Sequence, residues 1–296
     1  MRKIKIKAFG KINLVLDVLG ERDDGYHEIK TLLQGITLHD NVYIEKCAEG
    51  INLTCDLPQL STGADNLVYK AASLLMKDFS QIQGIKLKLE KRIPVAAGLA
   101  GGSSDAAATL IGMNLLYGLN LSLKQLREYG GLLGSDVPFC LYPLTAIGEE
   151  RGEMVTECVS CPEIWLVIMK PPFSVSAREA YQNLAQITIL QKPDISMVLK
   201  ALEEKNKKAI FKHMNNVLEY STFDLYPQLK EWASKLQGLD VERVMMSGSG
   251  PTLLAFVDDK NSADKLKSFV KLQGWEIAVV RTTNKEDIEG RMRFYE

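Results

Sequence analysis

The amino-acid sequence predicts an α+β protein built in two lobes. Three observations carry that reading. Residues 3–18 and 85–91 carry a period-two alternation of apolar and polar residues, the pattern of half-buried β-strands. The second half is dominated by amphipathic helical stretches that close on a strand, a helix and a strand. Near Ser160–Glu163, cysteines and a proline interrupt both patterns, which divides the chain into residues 1–160 and 161–296.

Each element follows from a local signal. After Met1 and Arg2, residues 3–18 alternate, with Ile4, Ile6 and Ala8 opposite Lys3, Lys5 and Lys7. Beyond Gly10, Ile12, Leu14, Leu16 and Val18 oppose Lys11, Asn13, Val15 and Asp17. Asp23-Asp24-Gly25 is a turn signal, so a β-meander is expected, with strands at His27–Leu38, Asn41–Lys46 and Ile51–Cys55. Asp65-Asn66 caps a helix over Leu67–Phe79, and Ile85–Lys91 alternates as a strand. An Ala-rich helix runs to Tyr117, and Ser122 opens another that ends at Leu133. Ile164–Met169 reads as a short buried strand. Helices follow at Ser176–Leu184, Ser196–Glu204, Lys207–Glu219 and Pro227–Leu236. Strands Val241–Met246 and Leu253–Val257, helix Ser262–Leu272 and strand Ile277–Arg281 complete the chain.

Composition narrows the function classes. The chain has 296 residues, 46% of them apolar, enough for a sizeable core. Its 36 basic and 37 acidic residues give a net charge of −1 without a basic stripe, so no nucleic-acid partner is expected. No apolar run approaches the ~20 residues of a membrane span, so no membrane partner is expected. The charged, alternating start has no signal-peptide core. Five cysteines do not form a disulfide scaffold, and a reducing cytoplasm is the expected location. Cys158 and Cys161 have CxxC spacing but no second pair to complete a zinc site, so the spacing reads as chance.

The strongest chemical signal is Pro94-Val95-Ala96-Ala97-Gly98-Leu99-Ala100-Gly101-Gly102-Ser103-Ser104, set between a predicted strand and a predicted helix. Glycine allows close backbone approach and positive φ. The first-turn amides of a helix lack internal partners and lie at its positive end, which suits phosphate. Ser103 and Ser104 add hydroxyls for phosphate or Mg²⁺. The segment is neither a P-loop nor a dinucleotide fingerprint. Taken alone it also reads as a turn that lets a helix pack tightly on a sheet.

Four further groups stand out. Lys11 and Asn13 share one strand face about 6–7 Å apart, either meeting one polar substrate or simply solvated. Tyr26 and His27 follow the predicted turn, where a ring can stack and an imidazole can read a base edge, or where both are ordinary surface. Asp136, in Gly134-Ser135-Asp136-Val137-Pro138-Phe139, is either a helix N-cap or the acceptor of a hydroxyl proton. Met246-Ser247-Gly248-Ser249-Gly250-Pro251-Thr252 is either a tight turn or a backbone cradle near the substrate.

Taken together, in this order and at these distances, these motifs resemble the GHMP small-molecule kinases. The likeness runs from about residue 2 to residue 282, and Lys11-Ile12-Asn13-Leu14 with Asp24-Gly25-Tyr26-His27 is its most selective part. Within that superfamily the chain is most similar to the branch acting on a cytidine-diphosphate-linked methylerythritol in non-mevalonate isoprenoid precursor biosynthesis. The resemblance implies an N-terminal lobe with a left-handed βαβ unit, a ferredoxin-like C-terminal lobe and a cleft between them. It implies ATP held by Pro94–Ser104, Mg²⁺ nearby with Ser104 as a contact, Asp136 as catalytic base and Lys11 as its cationic partner. It also implies that Tyr26, His27 and Phe173 hold the cytosine and that Asn13 contacts the methylerythritol. Ser247 and Gly248 belong to the same substrate set, and Asn66 and Lys91 are candidates for the adenine pocket. A monomer or weak homodimer is expected.

One segment departs from the family pattern. Pro143 and Leu144 stand where a glycine pair is usual, and Glu150 replaces a third glycine. If those glycines let backbone approach the substrate, the pocket here is narrower or reshaped. Two alternatives follow: a GHMP kinase acting on mevalonate, phosphomevalonate, homoserine or a sugar, or a catalytically impaired nucleotide-binding homologue.

Overall fold

The computed structural model describes residues 3–270 and 272–295. Met1 and Arg2 before the first strand, Lys271 within the expected last helix and Glu296 lie outside the described residues. The two alternating segments at the start form one strand, β1 (Lys3–Glu21), paired antiparallel with β2 (His27–Lys46). Register shifts at Phe9/Lys11, Asn13/Val15 and Val18/Gly20 mark β-bulges. A bulge re-aims side chains and raises the local twist, and these occur where Lys11 and Asn13 project.

The expected meander does not continue. β3 (Gly50–Cys55) leads through α1 (Leu67–Asp78) into β4 (Gly84–Glu90), which pairs in parallel with β3 and inserts between β3 and β2. Parallel neighbours need a crossover, and the helix supplies it. Asn66 caps α1 by accepting from Val68 N. α2 (Gly101–Tyr117) lies against this sheet, so close that a Cβ on Gly112 would come within 2.0 Å of Ile44 Cδ1. α3 (Leu123–Leu133), capped by Ser122, and α4 (Val137–Cys140) follow. β5 (Thr145–Glu149) then pairs with β2 and with β6 (Met154–Glu157).

The second lobe is an antiparallel sheet in the order β11-β7-β10-β9, formed by β7 (Trp165–Lys170), β9 (Arg243–Met246), β10 (Leu253–Val257) and β11 (Glu276–Arg281). Its helices are α5 (Ala177–Leu184), α6 (Ile195–Glu203), α7 (Lys207–His213), α8 (Leu218–Leu225), α9 (Pro227–Gln237) and α10 (Lys260–Phe269). The predicted helix over Lys207–Glu219 is corrected. It breaks after α7, and β8 (Asn215–Asn216) pairs in parallel with Val15 and Leu16 of β1 before α8 starts. α11 (Lys285–Glu289) leads to β12 (Met292–Tyr295), which returns to pair with β1 in the first sheet.

Ile12, Leu14, Leu32 and Ile36 of the first sheet share one buried cluster with Leu166, Ile168, Leu254 and Phe256 of the second. Truncating a fully buried Phe such as Phe256 costs about 3–5 kcal/mol. This shared core holds β1 in register against both lobes, and the site lies along it.

Candidate active site

Ala96, Gly98 and Ala100 take φ of 51°, 72° and 57°. The left-handed region costs a residue with a Cβ about 1–2 kcal/mol, and such strain collects at ligand sites. Gly98 has a second constraint: a Cβ there would come within 2.3 Å of Ser247 O. The loop is pinned on both flanks, by Lys11 N donating to Leu99 O (3.1 Å) and Ser247 Oγ donating to Gly98 O (2.9 Å). Ala100 occupies the N-cap of α2 and offers no side-chain acceptor, so the first-turn amides stay available to an anion. The outer cleft formed here, about 460 Å³, is lined by Asn66 and by Pro94, Val95, Ala96, Ala97, Gly98, Leu99, Ala100, Gly101, Gly102 and Ser103.

Ser104 is not among them. Its side chain is buried, and its hydroxyl donates to Phe9 O at 2.7 Å. The Mg²⁺ contact expected of it does not fit this orientation. Among the described residues no group of three or more His, Cys, Asp or Glu could hold a metal ion. Lys91, an adenine candidate, lines the outer cleft, and its ammonium is clasped between the carboxyl groups of Asp40 and Asp105. Burial works against the Lys91 charge, but the two carboxylates outweigh it and hold the ammonium above its ordinary pKa.

A second cleft of about 680 Å³ lies on the other side of Gly98 and Ala100, which line both. Lys11 and Asn13 point into it and are buried, so theirs is no solvated strand face. Lys11 Nζ donates to Asn13 Oδ1 (3.0 Å) and lies 3.5 Å from Asp136 Oδ1. Asn13 Nδ2 donates to Thr31 Oγ1 (2.8 Å), which donates to Val15 O (2.7 Å). That chain fixes the Asn13 amide, leaving its oxygen toward Lys11. Asp136 stands at the N-cap of α4 but its side chain caps nothing, and it is 37% exposed in the cleft. The carboxylate therefore faces Lys11 and the open space beside Gly98.

Tyr26 and His27 also line this cleft. Phe173 does not. It stacks on Tyr226 at 5.6 Å between centroids and packs into the second lobe's core. The ring that meets His27 is Tyr181 on α5, at 4.9 Å. Burial, with a smaller push from Asp136, raises the Tyr181 pKa and keeps the phenol neutral. Sequence reading missed Tyr181 because nothing in its spacing tells that α5 lies against the β1–β2 hairpin. Arg151 was also missed; it lines the cleft with its guanidinium over the Tyr26 ring and its Nε donating to Glu153 (2.7 Å). Gly248 lines the cleft; the Ser247 hydroxyl is spent on Gly98 O instead.

The departing segment leaves both clefts clear. Pro143 O accepts from Thr283 Oγ1 (2.6 Å), and Gly35 N donates to Leu144 O (3.1 Å), so both residues pack on β2 behind the site. Neither lines a cleft, and the feared narrowing does not arise from them. Glu150 takes φ of 59°, a conformation that favours glycine, with its carbonyl accepting from Ile29 N (2.7 Å). The five cysteines are free, and burial pushes Cys158 up to about 11 and Cys161 up to about 12, which removes thiolate reactivity from the CxxC pair.

Comparison with known proteins gives the same grouping. The family description "GHMP kinases N terminal domain" matches residues 66–143, and "GHMP kinases C terminal" matches residues 198–274. The 4-diphosphocytidyl-2-C-methyl-D-erythritol kinase of Acetivibrio thermocellus is 42% identical over 282 residues, covering 95% of this chain and all of the relative. The enzyme of the same name from Exiguobacterium sibiricum is 40% identical over 279 residues, covering 94% and 97%. A crystal structure of a 4-(cytidine 5'-diphospho)-2C-methyl-D-erythritol kinase superposes with a TM-score of 0.79 at 30% identity, covering 95% of this chain and 99% of that one. An L. major mevalonate kinase, at TM-score 0.71 and 14% identity over 95% of this chain and 96% of that one, shares the fold. A glycine-rich loop between two clefts, with a Lys–Asp pair on its inner side, thus belongs to a chain that is a member of the GHMP kinase family.

Proposed function

We propose that this chain transfers the γ-phosphoryl group of ATP to the 2-hydroxyl of 4-diphosphocytidyl-2-C-methyl-D-erythritol, a step of non-mevalonate isoprenoid precursor biosynthesis. The observation that carries the reading is the pair of clefts meeting at Gly98 and Ala100, with Lys11 and Asp136 on the inner side. ATP occupies the outer cleft with its phosphates over the first turn of α2. It arrives as its Mg²⁺ complex; Mg²⁺ is bound chiefly through phosphates and waters in such sites, so Ser104 need not contact it. The alcohol enters the inner cleft with its hydroxyl between Asp136 and the γ-phosphate.

The chemistry follows from the groups at hand. Asp136 accepts the hydroxyl proton as the new O–P bond forms and the bond to ADP breaks. In a loose transition state the carboxylate mainly orients the nucleophile. Lys11 offsets charge near the transferring group, and the loop amides receive charge developing on the phosphate oxygens. Asn13 keeps Lys11 aimed. At the far end, Tyr26, His27 and Tyr181 form an aromatic end suited to a nucleobase, a feature with no evident use for mevalonate or homoserine. Every group named comes from one chain, so a monomer or weak homodimer suffices, and a cytoplasmic location suits its free thiols.

The test is a panel of alcohols with purified protein, ATP and Mg²⁺, followed by coupled ADP detection. Turnover is expected with the cytidine-diphosphate-linked methylerythritol and not with homoserine or mevalonate. Turnover of either of those instead would replace the substrate assignment. ATP binding without turnover of any alcohol would favour an impaired homologue.

A further inference from the structure

The break between α7 and α8 has a consequence at the site. An uninterrupted helix is what the local sequence favours, yet Met214 turns extended, with ψ of 134°. The interruption directs the Asn216 side chain, fully buried, onto the turn after β9. Asn216 Nδ2 donates to Met246 O (2.9 Å) and to Gly248 O (2.7 Å), on either side of Ser247. Its Oδ1 accepts from Leu218 N (3.0 Å). One turn on, Glu219 Oε1 accepts from Met246 N (2.7 Å). A further turn on, Thr222 Oγ1 donates to Ser249 O (3.2 Å). Asn216, just before α8, and Glu219 and Thr222 on it thus hold the backbone on both sides of Ser247.

Ser247 is the residue that grips the phosphate loop, through its hydroxyl on Gly98 O and its carbonyl packed where a Cβ would otherwise sit. The same node reaches β1, because Val217 N donates to Leu16 O (3.0 Å) on the strand that carries Lys11 and Asn13. Asn216 lines neither cleft. We propose that Asn216, supported by Glu219, is a positioning residue that sets the Gly98 loop against the Lys11–Asp136 pair by holding Ser247. The inference rests on the kinase reading for its catalytic consequence but not for its effect on nucleotide binding.

The variant Asn216→Asp keeps the size and the Oδ1 acceptor but has no donors for the two carbonyls. It is expected to raise KM for ATP at least fivefold while KM for the alcohol moves less than twofold. Glu219→Ala is expected to do the same, and Glu219→Gln, which still accepts from Met246 N, to restore the wild-type value. Calorimetry with a non-hydrolysable ATP analogue reads the same shift as a weaker Kd, and does so even if no alcohol tested is a substrate. Wild-type KM and Kd for nucleotide in a folded Asn216→Asp would overturn the inference, as would an equal loss in Glu219→Gln and Glu219→Ala. A variant that only lowers the amount of folded protein reduces apparent kcat and leaves KM for ATP unchanged, which also counts against it. Should Asn216→Asp not fold, the Glu219 pair decides alone.

Discussion

Lys91 and Lys11 both meet aspartate in the first lobe, and they differ in what is left over for a ligand. Lys91 is 4% exposed between Asp40 and Asp105, at 2.6 Å from the latter. Asp40 also accepts from the backbone amides of Arg92 and Ile93, just before the glycine-rich loop. That group ties β2, β4 and α2 together and sets where the loop begins. Lys11 has one aspartate at 3.5 Å, and that aspartate is 37% exposed. Its contact is long enough, and open enough, for a third group to enter. Burial alone does not separate the two lysines. The freedom of the partner carboxylate does, and under the proposed function it sets one pair as scaffold and the other as chemistry.

The sharpest way to break this comparison is at Asp136. Asp136→Asn should lower kcat by about 10²–10⁴, the usual contribution of a proton-accepting group, with ATP binding and thermal midpoint retained. Near-normal turnover would remove the distinction altogether. Lys91→Ala should do the opposite. Removing the cation from this buried group costs about 3–5 kcal/mol of stability, read by urea unfolding, with kcat per folded molecule little changed. Lys11→Ala should lower kcat by about 10²–10³ at nearly unchanged stability. Tyr181→Ala should raise KM for the alcohol by about two- to tenfold, the worth of one aromatic contact of about 0.5–1.5 kcal/mol, and leave KM for ATP alone.

The smallest effect is on pH. Burial pushes the Asp105 carboxyl above its ordinary range, against the pull of Lys91. The folded state then retains a proton that the unfolded chain has released. Stability from this group is present below the ordinary carboxylate pKa and is lost as pH rises through the raised one. Urea midpoints measured across that interval should fall with pH in the wild type and flatten in Asp105→Asn. A flat wild-type profile would show that folding retains no such proton.

Much of the fold was legible because its signals are local. Alternation in residues 3–18 and 85–91, the Asn66 and Ser122 caps, and the glycine spacing of 94–104 each act within a few residues. The meander failed because strand partners are set by contacts in space, and β4 rather than β3 takes the β2 edge. Phe173 failed because an aromatic after a strand can turn to either side of its sheet. It stacks on Tyr226, while Tyr181, unmarked in sequence, faces His27. Ser104 failed because a helix residue's rotation decides whether its hydroxyl meets a ligand or Phe9 O.

By itself, then, the sequence determined the inventory: which strand carries a lysine and an asparagine, which turn can approach a phosphate, and where an unspent carboxylate stands before an apolar run. Those are properties of backbone φ, helix ends and residue type, all set by near neighbours. Only the tertiary structure decided which lysine stays open, which ring meets His27, and that the chain breaks at Asn216 to hold Ser247. Such choices depend on contacts between segments far apart along the chain, whose geometry exists only once the shared core of the two sheets has formed.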